Sequence, residues 1–140
     1  MKPTSRILSS LLLLAVACAA AVPTATAVQP LTLARNGATD HVIAVAEYAT
    51  PVDRYAADQL ALYLGEMTGT RFAVIDGAEL AADAPAIFVG LSAPALMRLG
   101  ETDPLVSLGT QEVVYRSHDG DVYFYGDGVH GSLRAVMAFL

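Results

Sequence analysis

Residues 50–69 constrain this chain more than any other stretch. Thr50 is a helix-capping residue, Pro51 suits a first helical position, and Asp53 favours the positive end of a helix dipole. Val52, Ala56, Leu60, Tyr63, Leu64 and Met67 then recur at helical spacing, and Gly69 stands where a left-handed residue ends a helix. The pattern predicts a helix over Pro51–Thr68 with one apolar stripe. Such a stripe needs a sheet or other helices to cover it, so the flanking runs decide the fold class.

Those runs read as strands. Leu31–Ala34 alternates and meets a turn at Asn36-Gly37, while His41–Ala46 is nearly continuous in apolar residues. Arg71–Ile75 and Ala86–Val89 are two more short strands, each closed by glycine or Asp-Gly. Pro94–Leu99 reads as a short helix capped by Ser92, and Gly100–Thr110 as irregular. Glu112–His118 and Asp121–Tyr125 flank Asp119-Gly120, a two-residue hairpin signal. Pairing across that turn sets Tyr115 opposite Phe124 and Ser117 opposite Val122 on a core face. The other, amphipathic face sets Arg116 opposite Tyr123 and Val114 opposite Tyr125, with His118 facing Asp121 at the tip. Leu133, Val136, Met137 and Leu140 have helical spacing.

The N-terminus reads as an export signal. Lys2 and Arg6 precede an apolar run, Ile7–Ala21, and Ala25-Thr26-Ala27 matches a signal-peptidase site. Residues 1–27 are therefore a signal peptide and 28–140 one domain, periplasmic or extracellular. The run is too short for a membrane span. Leu14–Cys18 resembles a permissive lipobox, so lipidation at Cys18 stands beside ordinary cleavage as a second route. Beyond residue 27 the chain has six arginines, no lysine and all fourteen acids, a formal charge of −8, which argues against a nucleic-acid partner. No cysteine remains there for disulfides or thiolate metal sites.

Gly126, Gly128 and Gly131 spell G-x-G-x-x-G, the written form of a dinucleotide-binding loop. The preceding strand belongs to a hairpin, which implies an antiparallel neighbour, and neither a second strand nor an acid follows. The expected role is architectural: the glycines turn the chain from the sheet into its covering helix, with Ser132 or Asp127 capping it. His41, His118 and His130 lie in no ligand spacing, and no carboxylate pair stands out for glycoside hydrolysis. No catalytic, cofactor-binding or metal-binding residue is assigned, and no cofactor is implied. Tyr123 and Tyr125, on one strand face, are spaced either to stack on a glycan or to pack against another layer.

The order of these motifs resembles a known family. A strand precedes Tyr55-Ala56-Ala57-Asp58-Gln59-Leu60, the helix closes at Thr68-Gly69, and an apolar strand ends in Val89-Gly90. A D-G hairpin and a glycine loop into Ala135-Val136…Phe139-Leu140 complete it. Residues 31–140 look like the N-terminal, non-catalytic domain of family 67 α-glucuronidases and family 20 β-N-acetylhexosaminidases. The resemblance implies an α+β domain, a mixed β-sheet with helices packed on one face in a zincin-like topology without the zinc site, set beside a (β/α)₈ barrel that carries the catalytic carboxylates. Met137 departs from the tyrosine usual in that last helix. Because the final stripe stops without a cap, the chain reads as the front part of a longer protein, its barrel absent. The expectation is an exported accessory domain in carbohydrate degradation. A small carbohydrate-binding module, or a gene fragment with no role of its own, are the alternatives.

Overall fold

The computed structural model describes residues 30–140. The signal-peptide reading and Cys18 lie outside the described residues.

Nine elements follow in order: β1 (Val42–Val45), α1 (Pro51–Thr68), β2 (Val74–Asp76), a 3₁₀ turn (Gly77–Glu79), β3 (Ala86–Val89), α2 (Ala93–Leu99), β4 (Val113–His118), β5 (Asp121–Gly126) and α3 (Gly131–Phe139). The strands form one mixed sheet in the order β2-β1-β3-β5-β4. Only the β4–β5 pair is antiparallel. The fold is α+β, as the resemblance implies, but its helices lie on both faces of the sheet rather than on one.

Local chemistry sets the long helix. Thr50 and Asp53 cap each other reciprocally, the Thr50 hydroxyl accepting from Asp53 N–H at 3.2 Å and the Asp53 carboxylate accepting from Thr50 N–H at 3.2 Å. Gly69, at φ 69°, ends the helix and returns its N–H to Gly65. Ser92 caps α2 through Ala95 N–H. The hairpin register is the predicted one, with Tyr115 opposite Phe124, Arg116 opposite Tyr123 and His118 opposite Asp121.

Three further expectations change. Leu31–Ala34 is not a strand, because Arg35 and Ala38 close a single rung over Asn36-Gly37. The Thr39 hydroxyl takes the Leu33 carbonyl, leaving Leu33 and Ala34 on the rim of the core. The strand predicted over 71–75 begins at Val74, since Phe72 turns into the core ahead of it. The third change is the hairpin's amphipathic face: β5 is buried on both sides.

That double burial follows from two layers. α1 and α3 cover one face, enclosing Ile43, Val45, Leu60, Ile87, Val89 and Phe124. The short α2 lies over the other, with Leu80, Leu91 and Leu108, enclosing Ala44, Phe88, Tyr123 and Tyr125. The sheet lies between them, so β3 and β5 read as continuous apolar runs. Among the described residues no helix is long and apolar enough to cross a membrane.

Candidate functional site

Burial decides the fate of Tyr123 and Tyr125. They are 1% and 4% exposed, so neither ring offers a face to a glycan, and the packing alternative describes both. Tyr123 stacks on Phe88 at 5.2 Å between ring centres and donates its hydroxyl towards Asp121 at 3.4 Å. Tyr125 lies under the Arg116 guanidinium at 5.8 Å. Burial, reinforced by the Asp121 carboxylate, pushes the Tyr123 phenol up to about 12; burial also raises Tyr125.

Asp121 is the centre of that network. Its carboxylate accepts from Ala86 N–H at 2.8 Å and from Arg98 at 3.1 Å. Arg98 donates onward to the carbonyls of Ala81, Ala82 and Ala84, which fixes the loop between β2 and β3. Arg116 pairs with Glu101 at 2.6 Å, and that bond holds its pKa above the ordinary value. These charges are spent on structure.

The histidines are dispersed. His41 is buried with Nε2 at 3.1 Å from the Gly120 carbonyl, His118 is 3.5 Å from Asp119 at the hairpin tip, and His130 precedes α3 without a side-chain bond. Among the described residues no group of three His, Cys, Asp or Glu is placed to hold a metal ion.

Gly126 and Gly131 lie in contact, Gly128 takes φ 75°, and Asp127 N–H donates to Glu112 O at 2.9 Å. The expected caps do not form. The Asp127 carboxylate accepts from Gln111 N–H instead, and α3 has no side-chain cap. One ground for setting aside the dinucleotide reading also changes, since β5 has a parallel neighbour in β3 as well as its hairpin partner. What supports the architectural role is that the first and last glycines of the loop are committed to backbone packing against each other at the helix start.

The aromatic surface lies on the other side of the hairpin. Tyr115 stacks on Phe124 at 6.5 Å, and the edge of Phe139 meets both rings, at 5.9 and 5.2 Å. β4 is an edge strand and α3 ends at Phe139, so the helix covers only part of the pair. A groove of about 420 Å³ remains, lined by Leu31, Leu33, Tyr115, Ser117, Phe124 and Phe139. Tyr115 is 51% exposed and Phe139 39%. Arg116 alone of the lining side chains is charged, and its guanidinium is engaged by Glu101. Such a surface suits burial against an apolar partner better than proton transfer. The hairpin pairing forecasts the Tyr115–Phe124 contact; the exposure of Tyr115 needed the knowledge that β4 is an edge.

No protein-family model matches this chain, and no curated protein matches it.

Proposed function

We propose that this chain is an exported, non-catalytic accessory domain of a glycoside-hydrolase-like protein, which stabilises or orients a catalytic (β/α)₈ barrel. The motif order over residues 31–140 motivates the family, and the α+β fold is compatible with it. The observation that carries the reading is the partly exposed ring pair of Tyr115 and Phe139. The two rings meet at 5.9 Å where β4 and α3 join, and they border an apolar groove of about 420 Å³. A surface of that kind on a small domain is a docking face.

Two measurements test this. Reading the gene downstream of codon 140 is expected to reveal barrel sequence, in frame or frameshifted; finding none counts decisively against the proposal. Where the barrel exists, the separately produced domain should bind it, and Tyr115→Asp with Phe139→Asp should abolish binding. Titration with xylan and chitin oligosaccharides is expected to give no saturable signal. A saturable one would favour the binding-module alternative.

A further inference from the structure

Asn36 is the only asparagine in the chain, and a glycine follows it. The two residues fill a tight turn, in which Arg35 N–H donates to the Ala38 carbonyl at 2.9 Å and Ala38 N–H to the Arg35 carbonyl at 3.0 Å. Both are exposed and left-handed, Asn36 at φ 53° and Gly37 at φ 74°. Among the described residues the Gly37 N–H has no hydrogen-bond partner. A methyl group on Gly37 would meet nothing within 4 Å, so that side of the turn is open. A carboxamide thus stands beside a free peptide nitrogen with room to react.

We propose that Asn36 is a site of spontaneous modification, converted by water to aspartate and isoaspartate, and that opening of the Arg35–Ala38 rung sets the rate. Hydroxide removes the Gly37 amide proton, and the nitrogen attacks Asn36 Cγ. A C–N bond closes a five-membered imide, while the side-chain nitrogen takes up a proton and leaves as ammonia. Water then opens the ring. Attack at Cγ restores the ordinary backbone with an aspartate; attack at the backbone carbonyl leaves the chain running through Cγ as isoaspartate. One water enters and one ammonia departs, and nothing is oxidised or reduced.

Three Asp-Gly pairs could form the same imide with water as the leaving group, but the fold holds each of them. Gly77 is buried where a Cβ would stand 3.0 Å from the Val45 carbonyl oxygen. The Asp127 carboxylate is engaged by Gln111 N–H. Asp119-Gly120 has the same left-handed turn, yet it closes a hairpin of six residue pairs. The Asn36 turn is closed by one isolated rung. Ring closure swings the 36–37 peptide out of its turn position, so that rung must open first, and one rung opens at less cost than a ladder. The next restraint is Thr39, whose hydroxyl donates to the Leu33 carbonyl and accepts from His41 N–H at 3.0 Å. Isoaspartate adds a carbon to the backbone, so the two-residue turn cannot re-form. The reaction needs no partner and stands apart from the docking proposed above.

Incubation of the purified, folded chain at mildly alkaline pH and body temperature tests the proposal, followed by peptide mapping and by enzymatic methylation of isoaspartate. The expected result is an amide-to-acid mass gain at Asn36, with a methyl acceptor appearing in step. Asn36→Gln, which would need a six-membered ring, should slow the gain at least about tenfold. Thr39→Ala, which frees the arms of the turn, should speed it at least about threefold, together with hydrogen exchange at Ala38 N–H. Near-ultraviolet circular dichroism checks that each variant remains folded. Should Thr39→Ala unfold, the comparison of folded with urea-unfolded wild type decides. A folded wild type that keeps its amide while the unfolded chain loses it overturns the proposal. Isoaspartate arising first at an Asp-Gly pair, or an unchanged rate in folded Thr39→Ala, overturns it as well.

Discussion

Gly131 sits directly against the peptide of Gly126, so close that a methyl group on Gly131 would overlap the Gly126 carbonyl. The reverse is nearly as tight. A methyl on Gly126 would stand 2.8 Å from the Glu112 carbonyl oxygen and 2.9 Å from Val113 Cγ1. The first and last glycines of the loop are therefore required for close approach, and the middle one, Gly128 at φ 75°, for its backbone angle.

Different reasons for glycine imply different costs. Gly131→Ala forces backbone apart in the turn that joins β5 to α3 and should destabilise by about 3 kcal/mol or more. Gly128→Ala meets open space and bears only the left-handed penalty, about 1–2 kcal/mol. Urea unfolding of the two variants should give that order. Equal losses would contradict the close-packed turn.

The Arg98–Asp121 pair predicts a second asymmetry. Its side chains are 22% and 8% exposed, and Asp121 also accepts from Ala86 N–H. Asp121→Ala leaves an arginine and a backbone N–H without their acceptor and should cost about 3–5 kcal/mol. Arg98→Lys keeps the charge but loses the fork that reaches three carbonyls as well as the carboxylate, so it should cost about 1–2 kcal/mol. Thermal unfolding compared with the wild type reads both.

How much of this was legible in the sequence follows from the range of each signal. Asp119-Gly120 fixes the hairpin register within a few residues, and Thr50, Pro51 and Gly69 mark both ends of α1; local chemistry suffices for both. The neighbour of β5 on its other side is β3, more than thirty residues earlier, and no local pattern announces that pairing. Nor does the cover over Tyr123 and Tyr125, which comes from a seven-residue helix and from Leu80, Leu91 and Leu108 in connecting segments without periodicity. The same long-range placement leaves Tyr115 on an edge strand and Tyr123 inside, although they lie on paired strands with similar neighbours.

Alkaline pH should loosen the inner face first. The Tyr123 phenol titrates near 12 in the fold, against about 10 in an unfolded chain. Below pH 10 both states hold the proton, and the contribution to stability does not vary. Between roughly 10 and 12 the unfolded chain loses its proton first, so stability falls as pH rises through that window. Tyr125, shifted in the same direction, adds to the slope. Denaturant midpoints measured from pH 9 upwards should show the decline, and Tyr123→Phe should make it shallower.

The tyrosines also separate a docking domain from a glycan-binding one. Tyr123→Ala removes a ring that is fully buried against Phe88, so it should cost about 3–5 kcal/mol and impair folding before any binding is measured. Tyr115→Ala removes a ring that is half exposed and rests on Phe124 and Phe139, so its cost in the isolated chain should be nearer 1 kcal/mol. In a complex with the proposed barrel the gap should narrow, because the exposed ring then lies in an interface while the cost of losing Tyr123, already buried within the domain, is unchanged. Unfolding of each variant, alone and with the barrel present, gives four midpoints. If Tyr115→Ala loses no more stability with the barrel than without it, the β4–α3 surface is not the docking face.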